Sequence, residues 1–202
     1  MEKKASSRKL KAAETKRKIY ENAVELMRVR GINNFSVDDI VEAAGVAKGT
    51  FYVHYKSKFS LISDYVSTLD LSYEDFFNSI PPDTKPSEML LLVTGKVTDI
   101  MVTDIGFDVI RTVYEALTKK SEGVEALLSY HRKLYQIYSE IITQGVQQGE
   151  FRKTIDIDSV TNHCIMSIRG MTFEWCIRYP AFDLKKEVLD HFDILLAGIK
   201  SI

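Results

Sequence analysis

The pattern of apolar and polar positions predicts a chain of amphipathic helices. Apolar residues recur at intervals of three and four, as at Val37, Ile40, Val41 and Ala44, which is the spacing of one helix face. Alternating strand patterns with turn dipeptides do not appear, so the pattern indicates an all-α protein. About nine helices are predicted, at roughly 15–31, 37–44, 47–55, 59–77, 87–103, 104–118, 123–148, 157–179 and 184–200.

Capping and breaking residues set the ends of these helices. Ser36 and Asp39 have the spacing of a capping box, with Asp at the position usually held by Glu or Gln. Gly45 ends the second helix, and the proline-rich segment 81–86 is the clearest break in the chain. Pro180 stops the eighth helix, and Asp183 can cap the last one.

Charge is distributed unevenly. Residues 1–58 contain 13 basic and 7 acidic residues, a net charge of +6, whereas the remainder contains 14 and 21, a net charge of −7. The polar, lysine-rich residues 1–13 are predicted to form a flexible basic tail. A basic head on an acidic body suggests a polyanionic partner, although a solvated charged surface is the alternative.

Several classes of protein lack support in the sequence. The sequence contains no run of eighteen apolar residues, which is the length needed to span a membrane. No apolar stretch follows the N-terminus as it would in a secretory signal. Cys164 and Cys176 lie in one helical pattern, about 18 Å apart along its axis, so we expect reduced thiols and a cytoplasmic protein. Common catalytic motifs are absent, and no two histidines have zinc-site spacing. We therefore expect no enzyme activity, no metal and no cofactor.

The segment 35–58 has the layout of a helix-turn-helix. Two short helices are joined through a turn that contains Gly45. The second helix of such a motif lies in the major groove, with its N-terminal residues towards the bases. Here that end is Ala47-Lys48-Gly49-Thr50, which is small or basic, while Phe51 and Tyr55 suit the inward face.

This segment closely resembles the signature of TetR-type regulators, approximately V-S-K-G-T-L-Y-x-H-F-x-S-K-E. The chain reads VAKGTFYVHYKSK over residues 46–58, preceded by SVDDIV over 36–41. The resemblance covers about a quarter of the chain. It departs at Ala47, where Ser is frequent, and at Phe59 and Ser60, where an acidic pair is common. It implies DNA contacts by Ser36, Lys48, Gly49, Thr50, Tyr52, Val53, His54 and Lys58.

The resemblance also implies the domains and partners. Residues 1–58 are expected to form a three-helix DNA-binding domain, and 59–202 a larger helical domain for ligand binding and dimerisation. Two subunits would pair through the last two helices as a four-helix bundle and place recognition helices about 34–36 Å apart on a palindromic operator. The predicted ligand-pocket residues are Phe107, Arg111, Tyr114, Tyr130 and Trp175, and the predicted dimer contacts are Leu184, Val188, Phe192, Leu195 and Ile199.

The function implied is that of a transcriptional repressor, released from double-stranded operator DNA by an unidentified small-molecule effector. Repression is the usual sign in the family, but the sequence does not determine it. A helical interaction protein with no ligand response is the alternative.

Overall fold

The computed structural model of the protein describes residues 2–31, 34–120 and 125–201, and over these residues it is all-helical. This confirms the predicted fold class. The α-helices are α1 (Glu2–Arg30), α2 (Val37–Ala44), α3 (Lys48–His54), α4 (Leu61–Ser79), α5 (Pro86–Asp99), α6 (Phe107–Thr118), α7 (Lys133–Gln147), α8 (Ile157–Arg178) and α9 (Leu184–Ile199). Short 3-10 turns precede α4 and α7, and one π-helical segment follows α5.

Side-chain caps start three of these helices. At α2 the Ser36 hydroxyl accepts a hydrogen bond from the backbone N–H of Asp39 (3.2 Å), and the Asp39 carboxylate accepts one from the N–H of Ser36 (2.7 Å). Asp156 and Asp183 accept the equivalent bonds at α8 and α9. These contacts satisfy amide groups that have no partner inside the helix. The predicted capping box is therefore present.

Two predicted boundaries differ from the structure. The helix predicted over 123–148 begins at Lys133, because Ser129 accepts a bond from the N–H of His131 and holds the preceding residues in a turn. The predicted start at 123 lies outside the described residues. The break expected at 103–104 falls at Gly106, whose φ of 82° ends the π-helical segment Ile100–Ile105.

The first helix is longer than the pattern indicated. It begins at Glu2, so residues 2–13 form its first turns. The predicted flexibility of this basic tail in the absence of DNA stays a prediction.

The chain divides into two compact units. The N-terminal unit comprises Met1–Ser67 and Thr112–Leu128, and the C-terminal unit comprises Thr68–Arg111 and Ser129–Ile202. In the first, α1, α2 and α3 pack on one another around Ile19, Ile40 and Phe51, all fully buried. The division falls within α4, after the predicted boundary at 58–59, and the assignment of separate roles to two domains stays a prediction.

The core of the C-terminal unit lies among α5, α7, α8 and α9, which pack in the pairs α5–α7, α7–α8, α8–α9 and α5–α9. Leu90, Ile141, Cys164 and Phe192 are fully buried there. Tyr138 is also buried, and its hydroxyl is 2.7 Å from the Thr94 hydroxyl, which satisfies both groups.

Candidate DNA-binding surface

A tight turn joins α2 to α3. Gly45 has a φ of 62°, which glycine adopts without strain, and its N–H bonds back to carbonyls of the last turn of α2. The N–H of Val46 also donates to the Val41 carbonyl (3.0 Å). Ala47 then begins α3 without a side-chain cap. The residues 37–54 thus form the helix-turn-helix that the sequence predicted.

The faces of α3 differ sharply. Phe51 and Tyr55 are buried (0% and 4% exposed), with ring centroids 5.7 Å apart. On the opposite side Tyr52 is 52% and Val53 79% exposed. The inward pair fixes the helix against the rest of the N-terminal unit, and the outward pair is presented to solvent. Such exposed apolar side chains on an anchored helix suit contact with another molecule.

Gly49 lies in the first turn of α3 on an exposed surface. A β-carbon there would meet no protein atom within 4 Å, so no contact inside the chain requires glycine. Glycine inside a helix is less favourable than alanine by roughly 0.8–1.0 kcal/mol. A close approach by the backbone of an external partner is a physical reason to accept that cost.

The two lysines of the predicted contact set are both engaged in the free protein. The Lys48 ammonium pairs with Asp38 (2.8 Å), and both side chains are more than half exposed. The Asp38 hydrogen bond raises the pKa of Lys48. Lys58 is half-buried, donates to the Phe35 carbonyl (2.9 Å) and lies 5.3 Å from the centre of the Phe35 ring. Burial lowers the pKa of Lys58.

The remaining predicted DNA contacts are distributed around the same motif. Ser36 is exposed but its hydroxyl is used in the α2 cap, where the Ser36 hydrogen bonds lower the pKa of Asp39. Thr50 and His54 are half-buried on α3. Ser57, just before Lys58, has a buried hydroxyl oxygen without a hydrogen-bond partner.

Three of the predicted pocket residues lie together in the C-terminal unit. The Phe107 ring is edge-on to Trp175 (5.4 Å between centroids). The Arg111 guanidinium lies 5.6 Å from the centre of the Phe107 ring. Tyr179, which the prediction omitted, stacks on Phe107 at 3.8 Å and is half exposed. Its only signal in the sequence was the position next to Pro180, where α8 ends.

The other two predicted pocket residues are not part of this cluster as described. Tyr130 contacts Tyr135 and lies under the Arg169 guanidinium, 5.7 Å from its ring centre. Tyr114 belongs to the N-terminal unit. A pocket formed by all five residues therefore stays a prediction.

Most of the predicted dimer contacts on α9 are buried within their own chain. Leu184, Val188, Phe192 and Ile199 are at most 8% exposed within their own chain, and Leu195 is half-buried. A side chain without surface in its own subunit has none to offer a partner. Periodicity identified the apolar stripe of α9 correctly, but this stripe packs on α5 and α8 of the same chain.

A different apolar face of α8 and α9 is exposed. Met166, Phe173 and Ile177 on α8 are 46%, 45% and 62% exposed, and with exposed Gly170 they repeat at intervals of four, three and four. Ile194 on α9 is 73% exposed. We call these five residues the α8–α9 face. On α8 the spacing is that of one continuous helix stripe, and an exposed apolar stripe of this kind is typical of an interface.

In the part of the chain that the structure describes, no three His, Cys, Asp or Glu side chains are grouped as metal ligands. None of the described helices is both long and apolar enough to cross a bilayer.

Comparison with known proteins agrees with this geometry. The sequence profile of the family described as "Bacterial regulatory proteins, tetR family" matches residues 19–65, which contain the helix-turn-helix. The transcriptional regulator AcrR of Shigella flexneri is 27% identical over 95% of this chain and 92% of its own length. The fatty acid metabolism regulator protein of Bacillus subtilis is 25% identical over 90% and 93%.

Solved structures show the same fold. FadR of Thermus thermophilus, a repressor crystallised with lauroyl-CoA, superimposes with a TM-score of 0.75 at 24% identity, covering 93% of this chain and 96% of that one. FadR of Bacillus subtilis, crystallised with stearoyl-CoA, gives a TM-score of 0.67 at 24% identity, with 90% and 98% covered. The helix-turn-helix at residues 37–54 thus lies in a segment that matches the TetR family of bacterial regulatory proteins, and the chain is similar to regulators of this kind along nearly its whole length.

Proposed function

We propose that the protein represses transcription as a homodimer whose α3 helices bind a palindromic operator, and that an acyl thioester releases it. The observation that carries this proposal is the two-sided α3, buried through Phe51 and Tyr55 and exposed through Tyr52 and Val53. A helix anchored on one face and open on the other is the element that enters a major groove. The function is binding and not catalysis, and its place is the cytoplasm, where the DNA is.

The DNA contacts divide into two kinds. Thr50 and Val53 are assigned to base edges, where a hydroxyl and methyl groups distinguish bases. Tyr52, His54 and Lys58 are assigned to the phosphate backbone, together with Ser36, and Gly49 allows close approach. Lys48 would exchange Asp38 for a phosphate. Exposed ion pairs contribute little to stability because water screens them, so this exchange costs little.

The α8–α9 face is the proposed dimer interface. Pairing two copies of this face would cover Phe173, Ile177 and Ile194, which are large, apolar and exposed in one chain. A two-fold axis through the face would bring four helices together, as in a helical bundle. This arrangement keeps the predicted helices of the interface and replaces the predicted residues.

The effector class is inferred from the relatives and from one cluster of this chain. Two structural neighbours were crystallised with an acyl-CoA, lauroyl-CoA in one and stearoyl-CoA in the other, and the curated relative from Bacillus subtilis is named for fatty acid metabolism. In this chain Phe107, Trp175 and Tyr179 form an aromatic cluster with the Arg111 guanidinium beside it. Aromatic rings suit an acyl chain, and a guanidinium suits the phosphates of the carrier.

The test begins with selection of an operator from random duplexes by the purified protein. Gel shifts with the selected duplex are then titrated with lauroyl-CoA and stearoyl-CoA, with coenzyme A alone and lauric acid as controls. We expect release by the acyl thioesters and not by either control. If the selection recovers no preferred sequence, the proposed DNA-binding function is wrong. If none of the four compounds changes operator binding, the proposed effector class is wrong and the DNA-binding function stands.

A further inference from the structure

Tyr55 is a buried polar residue at the end of the recognition helix. It is the C-cap of α3, and its N–H donates to the Phe51 carbonyl (2.9 Å). The side chain as a whole is only 4% exposed. A buried hydroxyl is unfavourable unless it finds a partner of good geometry.

The partner is a carboxylate in the first turn of α4. The Tyr55 hydroxyl donates to Asp64 Oδ2 at 2.7 Å, and the Lys16 ammonium of α1 lies 2.7 Å from the same oxygen. The Lys16 Nζ is also 5.4 Å from the centre of the Tyr55 ring. Three side chains thus connect α1, α3 and α4 within the N-terminal unit. We call this group the Tyr55 lock.

The hydroxyl is a departure from the family signature, which has Phe at this position. Phenylalanine would fill the same core without requiring a partner, so apolar packing does not explain the tyrosine. A hydrogen bond to a charged acceptor is short and directional, whereas apolar contacts permit rotation and sliding. The lock therefore adds to α3 a restraint on its rotation that packing alone does not supply.

Rotation of α3 would affect DNA recognition because it would change the direction of the exposed side chains. The exposed residues Tyr52 and Val53 are adjacent in sequence, so they point about 100° apart around the helix axis. A small rotation about the inward residues would move both relative to base edges and phosphates. Sequence-specific contact is sensitive to such a displacement, whereas attraction to the backbone charge is not.

We infer that Asp64 and Lys16 are positioning residues for operator recognition, which hold the C-terminal end of α3 through the Tyr55 hydroxyl. They touch no DNA in this scheme. This inference rests on the proposed function of α3 as the DNA-reading helix.

The principal variant is Tyr55→Phe, which removes one oxygen and restores the residue of the signature. Affinity is measured for the operator selected by the wild-type protein and for a scrambled duplex of equal length, over a range of salt concentrations. We expect a roughly 10-fold loss for the operator, which is less than the full value of one charge-assisted hydrogen bond because the variant loses only the ordering of α3. Affinity for the scrambled duplex and the salt slope should stay unchanged, because no phosphate contact is lost.

Asp64→Asn and a matched control test the other end of the lock. Asparagine keeps an oxygen for Tyr55 but loses the ionic attraction of Lys16, so we expect a smaller loss of operator affinity. The control is Glu21→Gln, which removes the same charge from the exposed Arg17–Glu21 pair of α1. It should leave the ratio of operator to scrambled affinity as in the wild type. The double variant Tyr55→Phe/Asp64→Asn should lose no more than Tyr55→Phe alone, since the two residues act through one contact.

A measurement without DNA keeps the inference separate from the proposed function. Hydrogen exchange should be faster at α3 amides in Tyr55→Phe than in the wild type, and unchanged in α2. Equal exchange in both proteins, or an operator preference identical to that of the wild type, would overturn the lock. Parallel losses for operator and scrambled DNA would also overturn it, because they indicate general destabilisation. If the wild type selects no DNA sequence, the proposed function fails and hydrogen exchange alone decides whether the lock restrains α3.

Discussion

At the scale of single residues, Lys48 and Lys58 illustrate what a motif leaves open. The signature identifies both as cations near DNA, but it contains nothing about where each ammonium lies in the free protein. Asp38, ten residues away, accepts one, and the Phe35 carbonyl accepts the other from 23 residues away. These partners arise from the packing of α2, α3 and the start of α4, so no local pattern could reveal them.

Val53 provides the residue-scale prediction. It is 79% exposed, so Val53→Ala should change the free energy of unfolding by less than about 0.5 kcal/mol. Loss of its methyl groups from a base edge should change the preferred base at one operator position, by about 1–3 kcal/mol. Parallel selection with the wild type and the variant measures this. Val29→Ala is the control, since Val29 is 72% exposed on α1. Identical preferences in all three proteins would place Val53 away from the bases.

At the scale of elements, helices with strong local signals could be predicted and those limited by distant contacts could not. The start of α2 is encoded by Ser36 and Asp39, three residues apart, and the end of α2 by Gly45. The start of α7 is different. Its N-cap Arg132 makes a two-pronged ion pair with Asp70, which is 62 residues away and equally shielded from solvent. The apolar periodicity over 123–148 could not predict that contact, because Asp70 lies outside this segment.

Gly145 gives the element-scale prediction. A β-carbon at this position of α7 would lie 2.1–2.9 Å from atoms of the Phe151 ring, which is fully buried. Phe151 also donates its N–H to the Gly145 carbonyl and pairs with Lys200 after α9, so the ring cannot move freely. Gly145→Ala should lower the free energy of unfolding by about 1–3 kcal/mol.

Thermal unfolding measures the effect, with Gly95→Ala as the control. The added methyl at Gly95 of α5 would be 3.9 Å from its nearest neighbour outside the helix, an ordinary contact. Because alanine favours a helix, this control should melt at the same temperature as the wild type or higher. A Gly145→Ala protein as stable as the control would mean that Phe151 repacks without cost.

At the scale of the whole molecule, the sequence predicted an interface on α8 and α9, and the structure shows which of their apolar residues are exposed within one chain. Both faces of α9 contain apolar residues, and periodicity cannot distinguish a stripe that packs inside its subunit from one that is exposed. The exposed fraction of each side chain distinguishes the two. Phe192 has no exposed surface, whereas Ile194, two residues later, is 73% exposed.

Ile194→Glu and Phe192→Glu should therefore fail in different ways. In a single chain the Ile194 side chain faces water, so a glutamate there leaves the subunit folded. In the proposed dimer it would bury an unpaired charge, at a cost of several kcal/mol, and the dimer should dissociate. Operator affinity should fall with it, because a lone subunit makes half the phosphate contacts and has no fixed half-site spacing. Phe192→Glu places the charge inside the subunit core and should unfold it.

Sedimentation, circular dichroism and gel shifts on the same samples separate these outcomes. Leu71→Glu is the matched control, since Leu71 is 62% exposed on α4 and outside the α8–α9 face. It should remain dimeric and bind the selected operator as the wild type does. An Ile194→Glu protein that stays dimeric would exclude this face, and one that unfolds like Phe192→Glu would show that Ile194 supports the subunit itself. A folded monomer with weak operator binding is the result that the α8–α9 face requires, because only an intermolecular contact can be lost while every helix persists.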